Sequence, residues 1–109
     1  EALLSVRHRS GNIPIVVGNL DDVHVHWCHG APGMPALLQA AIDAVGDEQG
    51  LLREAALKAG EVVWQRGLIL KGTGLCHGIC GNAYTFLSLH RLTGDILHLR
   101  RAQAFAGLL

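Results

Sequence analysis

The sequence has no excess of charge of either sign. Nine basic residues balance nine acidic residues among the 109 positions. Aromatic residues make up only 5% of the chain, and no run of Lys and Arg with interleaved aromatic side chains is present. Because proteins bind nucleic acid largely through positively charged surface, this composition argues against a nucleic-acid partner.

Long apolar segments and disulfide patterns are also missing. No stretch of about 18 consecutive apolar residues could cross a bilayer, and the first residues lack the layout of a secretory signal peptide. The cysteine count is three, and two cysteines lie four residues apart beside histidines, which fits metal binding in a reducing compartment better than a disulfide framework. We therefore expect a cytoplasmic protein.

Both ends of the sequence predict that it is a portion of a longer protein. Glu1 is not an initiator residue, and residues 102–109 form an apolar helical pattern without a stop signal. Half of the residues are hydrophobic, which is enough for a core. Peripheral membrane association of the longer protein remains compatible with these features.

A period of 48 residues organises the chain. The triplet Cys-His-Gly occurs at 28–30 and 76–78, a further glycine follows three residues after each triplet, and a Gly-Asp pair occurs at 46–47 and 94–95. Repeats of this length are typical of stacked helix pairs, in which each pair needs its neighbours to bury one face. We expect a lead-in loop over 1–27, a first repeat over 28–75 and an incomplete second repeat over 76–109.

Apolar periodicity predicts four helices. The first covers residues 34–45 and ends at Gly46 in the left-handed conformation, and the second begins at residue 51 and ends at Gly67. The third and fourth cover 82–92 and 95–107, and the helix after each triplet is predicted to be the inner one of its pair. Residues 13–17 show a weak strand signal, but Pro14 favours an extended loop. The sequence thus predicts an all-α chain.

The two triplets are the candidate metal ligands. Two neighbouring inner helices would bring their loops together at one end of the bundle, and the thiolates of Cys28 and Cys76 with one imidazole would fill three of the four positions of tetrahedral zinc. If both His29 and His77 bind, the site is closed and structural; if only one binds, it is open and catalytic. Cys80 lies one helical turn after Cys76 and could also reach the ion. Spacing alone leaves these alternatives open.

Two stretches resemble the lanthionine synthetase C-like (LanC-like) family. They are Val-His-Trp-Cys-His-Gly-Ala-Pro-Gly at 25–33 and Gly-Leu-Cys-His-Gly-Ile-Cys-Gly-Asn-Ala-Tyr at 74–84, and the resemblance extends from residue 10 to residue 109. Trp-Cys-His and Asn-Ala-Tyr look like the eukaryotic branch. The resemblance implies a late portion of an α/α toroid of inner and outer helices. It assigns one Zn²⁺ ion to Cys28, Cys76 and His77, with the fourth position open to water or a substrate thiol.

The resemblance also implies an activity. In the eukaryotic branch, glutathione is added to dehydroalanine or dehydrobutyrine residues of proteins, and we expect this reaction here, with Lys71 binding glutathione. Alternatives are a zinc- and glutathione-binding signalling or scaffold module without catalysis, and a peptide cyclase that forms lanthionine. The resemblance places an acid/base histidine before Glu1 and a glutathione-binding arginine after Leu109. We therefore expect the 109 residues alone to be inactive.

Overall fold

The computed structural model describes residues 2–109, and all regular structure within this range is helical. A short helix α1 (Ala2–Ser5) is followed by irregular chain and a 3₁₀ turn (Ala31–Gly33). Four longer helices follow, namely α2 (Met34–Val45), α3 (Leu51–Arg66), α4 (Ile79–Thr93) and α5 (Ile96–Ala106). None of these described helices is long and apolar enough to span a membrane. The prediction of an all-α chain is confirmed.

The repeated Gly-Asp pairs end one helix and begin the next. Gly94 ends α4 in the left-handed conformation, with φ 71° and ψ 2°. Gly46 ends α2 with φ 78° but ψ 177°, so its φ is positive without the left-handed helical ψ that we predicted. Asp47 accepts hydrogen bonds at 3.0 and 2.8 Å from two backbone N–H groups in the first turn of α3. Asp95 accepts one at 2.9 Å in the first turn of α5, so each carboxylate satisfies N–H groups that a helix cannot bond internally.

Two elements differ from the sequence-based prediction. Helix α1 lies within the predicted lead-in loop, although it has four residues and buries none of them. Helix α4 begins at Ile79, three residues before the predicted start, with Gly78 as its N-cap. This earlier start places the first turn of α4 directly after the second Cys-His-Gly triplet.

An aromatic cluster joins the last three helices. The rings of Phe86 (α4) and Phe105 (α5) meet edge to face with centroids 5.1 Å apart, and the Trp64 ring (α3) lies 6.0 and 6.1 Å from them. The Arg101 guanidinium lies 4.7 Å from the centroid of the Trp64 ring and also forms a salt bridge with Glu61. Such edge-to-face pairs contribute about 1 kcal/mol each beyond their buried area. This cluster holds α3, α4 and α5 in a fixed arrangement.

Small residues allow α3 to approach α4 closely. A Cβ added at Gly60 in α3 would lie 2.3 Å from Cδ1 of the fully buried Leu89 in α4. The neighbouring alanines of α3, at positions 55, 56 and 59, are also buried. The C-terminal end of α3 lies next to the first turn of α4, which directly follows the second triplet.

The side of α4 that carries Cys80 and Tyr84 is not covered by another helix within residues 2–109. An apolar groove of about 260 Å³ runs between α4 and α5, and Cys80, Tyr84 and Leu99 are among its lining residues. No segment of residues 2–109 fills this groove. Two helix pairs with an unfilled apolar face are consistent with a portion of the toroid that the resemblance implies.

Candidate metal centre

The loop that carries the second triplet folds over the N-terminus of α4. The backbone N–H groups of Ile79 and Gly81 donate to the carbonyl oxygens of Gly72 and Gly74, at 3.1 and 3.3 Å. A Cβ at Gly78 would lie 2.4 Å from the nitrogen of Gly74, so the loop is as tight as its glycine content predicted. These bonds satisfy N–H groups of the first helical turn and fix the residues between the loop and the helix. Cys76 and His77 are two of these residues.

The loop that carries the first triplet lies against the second. The backbone N–H of Cys28 donates to the carbonyl oxygen of Cys76 at 3.0 Å. A Cβ at Gly33, in the 3₁₀ turn that follows Cys28, would lie 2.6 Å from the carbonyl oxygen of Trp27, so only glycine permits this fold of the loop. The convergence of the two triplets, which the 48-residue repeat predicted, is therefore a feature of the structure.

Three donor atoms cluster at this junction. One sulfur each from Cys28 and Cys76 and one ring nitrogen of His77 all lie within 4.8 Å of one another, and all three residues are exposed. Tetrahedral zinc with a Zn–S distance near 2.3 Å separates two sulfur ligands by about 3.8 Å. The donor types and their spacing fit zinc.

The other two candidate ligands lie outside this cluster. His29 places Nδ1 3.3 Å from the sulfur of Cys28, but within the described residues its ring does not join the group formed with Cys76 and His77. Cys80 is half-buried and lines the groove between α4 and α5. The structure thus brings together two cysteines and one histidine, which is the set that the family resemblance assigned.

The surroundings of the cluster shift the pKa values of Cys28 and His26. Partial burial raises the pKa of Cys28, and its hydrogen bond and charge interaction with Cys76 raise it further. Burial lowers the pKa of the nearby His26, and the adjacent His24, His77 and Lys71 lower it further because they add positive charge. The raised pKa keeps the thiol of Cys28 protonated at neutral pH, so a metal that binds its thiolate would displace that proton.

A buried hydrogen-bond network, which the sequence did not reveal, holds the segment before Cys28. The side chain of Asn12 donates to a carboxylate oxygen of Asp22 and to the carbonyl oxygen of His24, both at 2.8 Å, and accepts from the N–H of Ala31 at 2.7 Å. Arg66 forms a salt bridge of 3.1 Å with Asp22. Asn12 is 1% exposed, so its side chain lies away from water, whereas the Asp22–Arg66 pair is partly exposed. They fix the course of residues 22–31 from both ends.

The carboxylate of Asp22 is ionised by this network. Burial by itself would raise the pKa of Asp22, but hydrogen bonds from Ser10, Asn12 and Arg66, together with the charge of Arg66, lower it overall. Ser10, Asn12 and Asp22 could have been recognised in the sequence only as loop-forming residues. Their pairing with Arg66, which is 44 positions from Asp22, depends on the packing of α3.

A cleft of about 410 Å³ lies beside the cysteine-histidine cluster. Residues 23–26 form one side and residues 69–71 the other, so that Lys71 faces the same space as His24 and His26. The ring centroids of His24 and His26 are 5.1 Å apart, and that of His77 lies 6.0 Å from that of His26. His26 thus connects the cleft that Lys71 lines with the three donor atoms.

Comparisons with known proteins identify relatives of this sequence. The sequence profile of the family described as "Lanthionine synthetase C-like protein" matches residues 2–109. The chain is 54% identical over 97 residues to the glutathione S-transferase LANCL1 of Danio rerio. This alignment covers 89% of the chain and 24% of that protein. It is 52% identical over 100 residues to the LanC-like protein GCL1 of Arabidopsis thaliana. That alignment covers 92% of the chain and 23% of the relative.

The chain therefore spans about a quarter of the length of these curated relatives. The family match, by contrast, covers all the described residues and includes both Cys-His-Gly triplets. On these grounds the chain belongs to the lanthionine synthetase C-like family, as its two motifs predicted.

Proposed function

We propose that Cys28, Cys76 and His77 bind one zinc ion and leave its fourth coordination position open to a thiol. The observation that carries this proposal is the clustering of the three donor atoms within 4.8 Å, on two loops joined by a backbone hydrogen bond. Two thiolates and one imidazole form a common donor set for catalytic zinc, whereas structural zinc has four protein ligands. His29 and Cys80 stay outside the proposed coordination sphere.

We further propose that the thiol is glutathione. A zinc ion at this site would lower the pKa of a coordinated thiol so that it binds as a nucleophilic thiolate at neutral pH. The relative LANCL1 of Danio rerio is named a glutathione S-transferase, which supports glutathione as the thiol. Lys71 lines the cleft beside the cluster, where its ammonium group would pair with a carboxylate of the tripeptide.

The proposed acceptor is a dehydroalanine or dehydrobutyrine residue in a protein. In the reaction, the sulfur of glutathione forms a bond to the β-carbon, the carbon–carbon double bond becomes single, and a proton is added to the α-carbon. The proton lost by the thiol accounts for the proton gained by the α-carbon, so atoms and charge balance without an oxidant or reductant. Because the chain spans a quarter of its relatives, we propose this activity for the full-length protein rather than for the 109 residues.

The proposed organisation follows the sequence period. Repeat one covers 28–75 and repeat two covers 76–109, with each triplet at the start of its unit. This division is supported by the equivalent roles of the two Gly-Asp pairs, which end α2 and α4 and begin α3 and α5. We propose a cytoplasmic location, because the exposed thiols of Cys28 and Cys76 suit a reducing compartment.

A chimera tests the function. The matching segment of the Danio rerio relative is replaced by this chain, and the purified protein is loaded with cobalt, whose visible spectrum reports coordination. Added glutathione should change the spectrum, because it enters the open position. Incubation of the zinc form with a dehydroalanine peptide and glutathione should yield a thioether adduct detectable by mass spectrometry.

The controls separate the alternatives. The chimera with Cys76→Ala should form no adduct, whereas Cys80→Ala should form it at the unsubstituted rate. A spectrum that changes with glutathione in the absence of any adduct would identify a binding module rather than an enzyme. A peptide that carries both a cysteine and a dehydroalanine would form a ring without glutathione if the chain is a lanthionine cyclase.

A further inference from the structure

Asn82 is a fully buried polar residue in the first turn of α4, with 0% of its surface exposed. Its side-chain nitrogen donates to two backbone carbonyl oxygens, that of Val25 at 2.9 Å and that of Gly67 at 2.8 Å. These acceptors belong to different segments. Val25 lies three residues before Cys28, and Gly67 begins the connection from α3 to the loop of Cys76 and His77. One amide group thus bonds to both chain segments that lead to the cluster.

The orientation of this amide is determined by its neighbours. Both partners are carbonyl oxygens, which only accept hydrogen bonds, so the NH₂ group must face them. The amide oxygen has no hydrogen-bond partner among the described residues and is itself buried. An unpaired buried oxygen is unfavourable. The two bonds that the NH₂ group donates must therefore outweigh the cost of the unpaired oxygen. We infer that this position requires a side chain with two donors.

We propose that Asn82 is a positioning residue that sets the spacing between the two halves of the metal centre. It acts through backbone and not through the ligands, since both of its side-chain hydrogen bonds go to backbone carbonyl groups outside the two triplets. Asn82 lies in the helix whose N-terminus follows His77, and its side chain ties the segment around Val25 to that helix. The two segments that Asn82 holds continue into the two loops, and these loops are joined by the hydrogen bond from the N–H of Cys28 to the carbonyl of Cys76.

The proposal rests on the proposed zinc site and predicts a specific loss. Replacement by alanine leaves the carbonyl groups of Val25 and Gly67 without donors, so the two segments can separate. Residues that orient metal ligands from outside the coordination sphere typically change metal affinity by about 10- to 100-fold when replaced. We expect Asn82→Ala to weaken zinc binding by about tenfold or more.

Thr85 provides the matched control. It lies three residues further along α4, is 1% exposed, and donates a single hydrogen bond of 2.9 Å to the carbonyl oxygen of Pro32. Thr85→Val therefore removes one buried bond from the same helix, to the turn that follows the first triplet, and leaves both bonds of Asn82 in place. Because zinc binding is coupled to folding, any general loss of stability weakens zinc binding in both variants. Only the additional loss in Asn82→Ala reports positioning.

The test measures zinc affinity in the chimera described above by competition with a chromophoric chelator, together with the cobalt spectrum and the urea unfolding of each variant. The expected result is an affinity loss for Asn82→Ala that exceeds the loss for Thr85→Val by about tenfold, with a changed cobalt spectrum only in Asn82→Ala. Equal losses with identical spectra would overturn the role of Asn82. Failure of the unsubstituted chimera to bind zinc would instead overturn the metal site itself.

A second variant covers the case in which Asn82→Ala does not fold. Asn82→Ser retains one hydroxyl donor, which can bond to only one of the two carbonyl oxygens. We expect its zinc affinity to lie below that of the unsubstituted chimera, with a changed cobalt spectrum. An affinity and spectrum equal to those of the unsubstituted chimera would contradict the requirement for two donors.

Discussion

Replacement of Gly81 by alanine tests how tightly the loop of the second triplet packs on α4. A Cβ at this position would lie 1.8 Å from the carbonyl oxygen of Leu75 and 2.8 Å from its carbonyl carbon. It would also lie 3.2 Å from Cβ of Trp27. The two closest atoms belong to the backbone, so no side-chain rotation relieves the overlap. Gly81→Ala must therefore displace either the loop or the first turn of the helix.

Two effects of opposite sign determine the change in stability. Alanine is favoured over glycine within a helix by up to about 1 kcal/mol. Overpacking in a closely packed region costs about 1–3 kcal/mol, and contact with rigid backbone places this case at the upper end. We expect Gly81→Ala to lower the free energy of unfolding by about 2 kcal/mol, which corresponds to a decrease in Tm of about 10 °C.

Gly74→Ala is the control for this prediction. Gly74 lies in the same loop, but a Cβ there would meet no atom within 4 Å, and its φ lies outside the positive range. Alanine at a compatible glycine position stabilises by about 0.4–1 kcal/mol, because it restricts the unfolded chain. Gly74→Ala should therefore be neutral or slightly stabilising, although it lies closer in sequence to Cys76 than Gly81 does.

The assay is thermal and urea unfolding of the 109-residue chain, followed by circular dichroism with and without zinc. Because Leu75 directly precedes Cys76, the displacement should also weaken zinc binding in Gly81→Ala by about tenfold or more, as expected when the support of a metal ligand is disturbed. If Gly81→Ala and Gly74→Ala show the same stability and the same zinc affinity, the loop is not held against α4 as the structure indicates, and the argument fails.

Three further predictions follow from the site and its surroundings. Cys76→Ala should abolish zinc binding by the chain, whereas Cys80→Ala should leave it unchanged, because the sulfur of Cys80 lies outside the donor cluster. Zinc release measured with a chelator checks both variants, and retained binding in Cys76→Ala would contradict the proposed ligand set. Lys71→Ala in the chimera should raise KM for glutathione with little change in kcat or zinc content, whereas Lys58→Ala should leave KM, kcat and zinc content unchanged. A fall in kcat alone would argue against a binding role for Lys71. Burial lowers the pKa of His98 below its ordinary value of 6.5 and outweighs the nearby carboxylates, so the unfolded chain takes up a proton there before the folded chain does. The free energy of unfolding should thus decrease as pH falls below about 6.5, and His98→Gln should reduce this slope; an unchanged slope in urea titrations at several pH values would refute the assignment.

The bounds of the helices could be predicted from the sequence to different extents. The bounds of α2 were correct because its apolar periodicity is strong and Gly46 follows directly. The start of α4 was placed too late, because Cys80 and Gly81 carry little helical signal. The structure explains Gly81 by its contact with the backbone of Leu75, which overrides helix propensity. Local pattern could not show this, since the contact depends on the path of the loop.

The supporting network was beyond sequence-based prediction for a related reason. Asn12, Asp22 and Arg66 are ordinary loop and helix-end residues when read locally, and only the packing of α3 brings the guanidinium to the carboxylate. Asn82 was recognised as part of a family motif, but its two bonds join it to positions 57 and 15 residues away. Spacing predicted the candidate ligands because they recur in a repeat, and the family resemblance selected Cys28, Cys76 and His77 among them. Spacing could not predict the residues that hold them, because these do not recur.

The difference between the two triplets also has a structural basis. Both precede a helical turn and share the order Cys-His-Gly, yet Gly30 has φ 139° and Gly78 has φ −145°. A Cβ at Gly30 would lie 2.6 Å from the carbonyl oxygen of His24, and the carbonyl oxygen of His29 accepts a bond from the N–H of His26. The first triplet thus folds back on its own lead-in segment, whereas the second continues directly into α4. Only the second histidine joins the two sulfurs, so three protein donors converge instead of four. Three donors are the number with which zinc retains an exchangeable position, and the proposed activation of a thiol depends on that position.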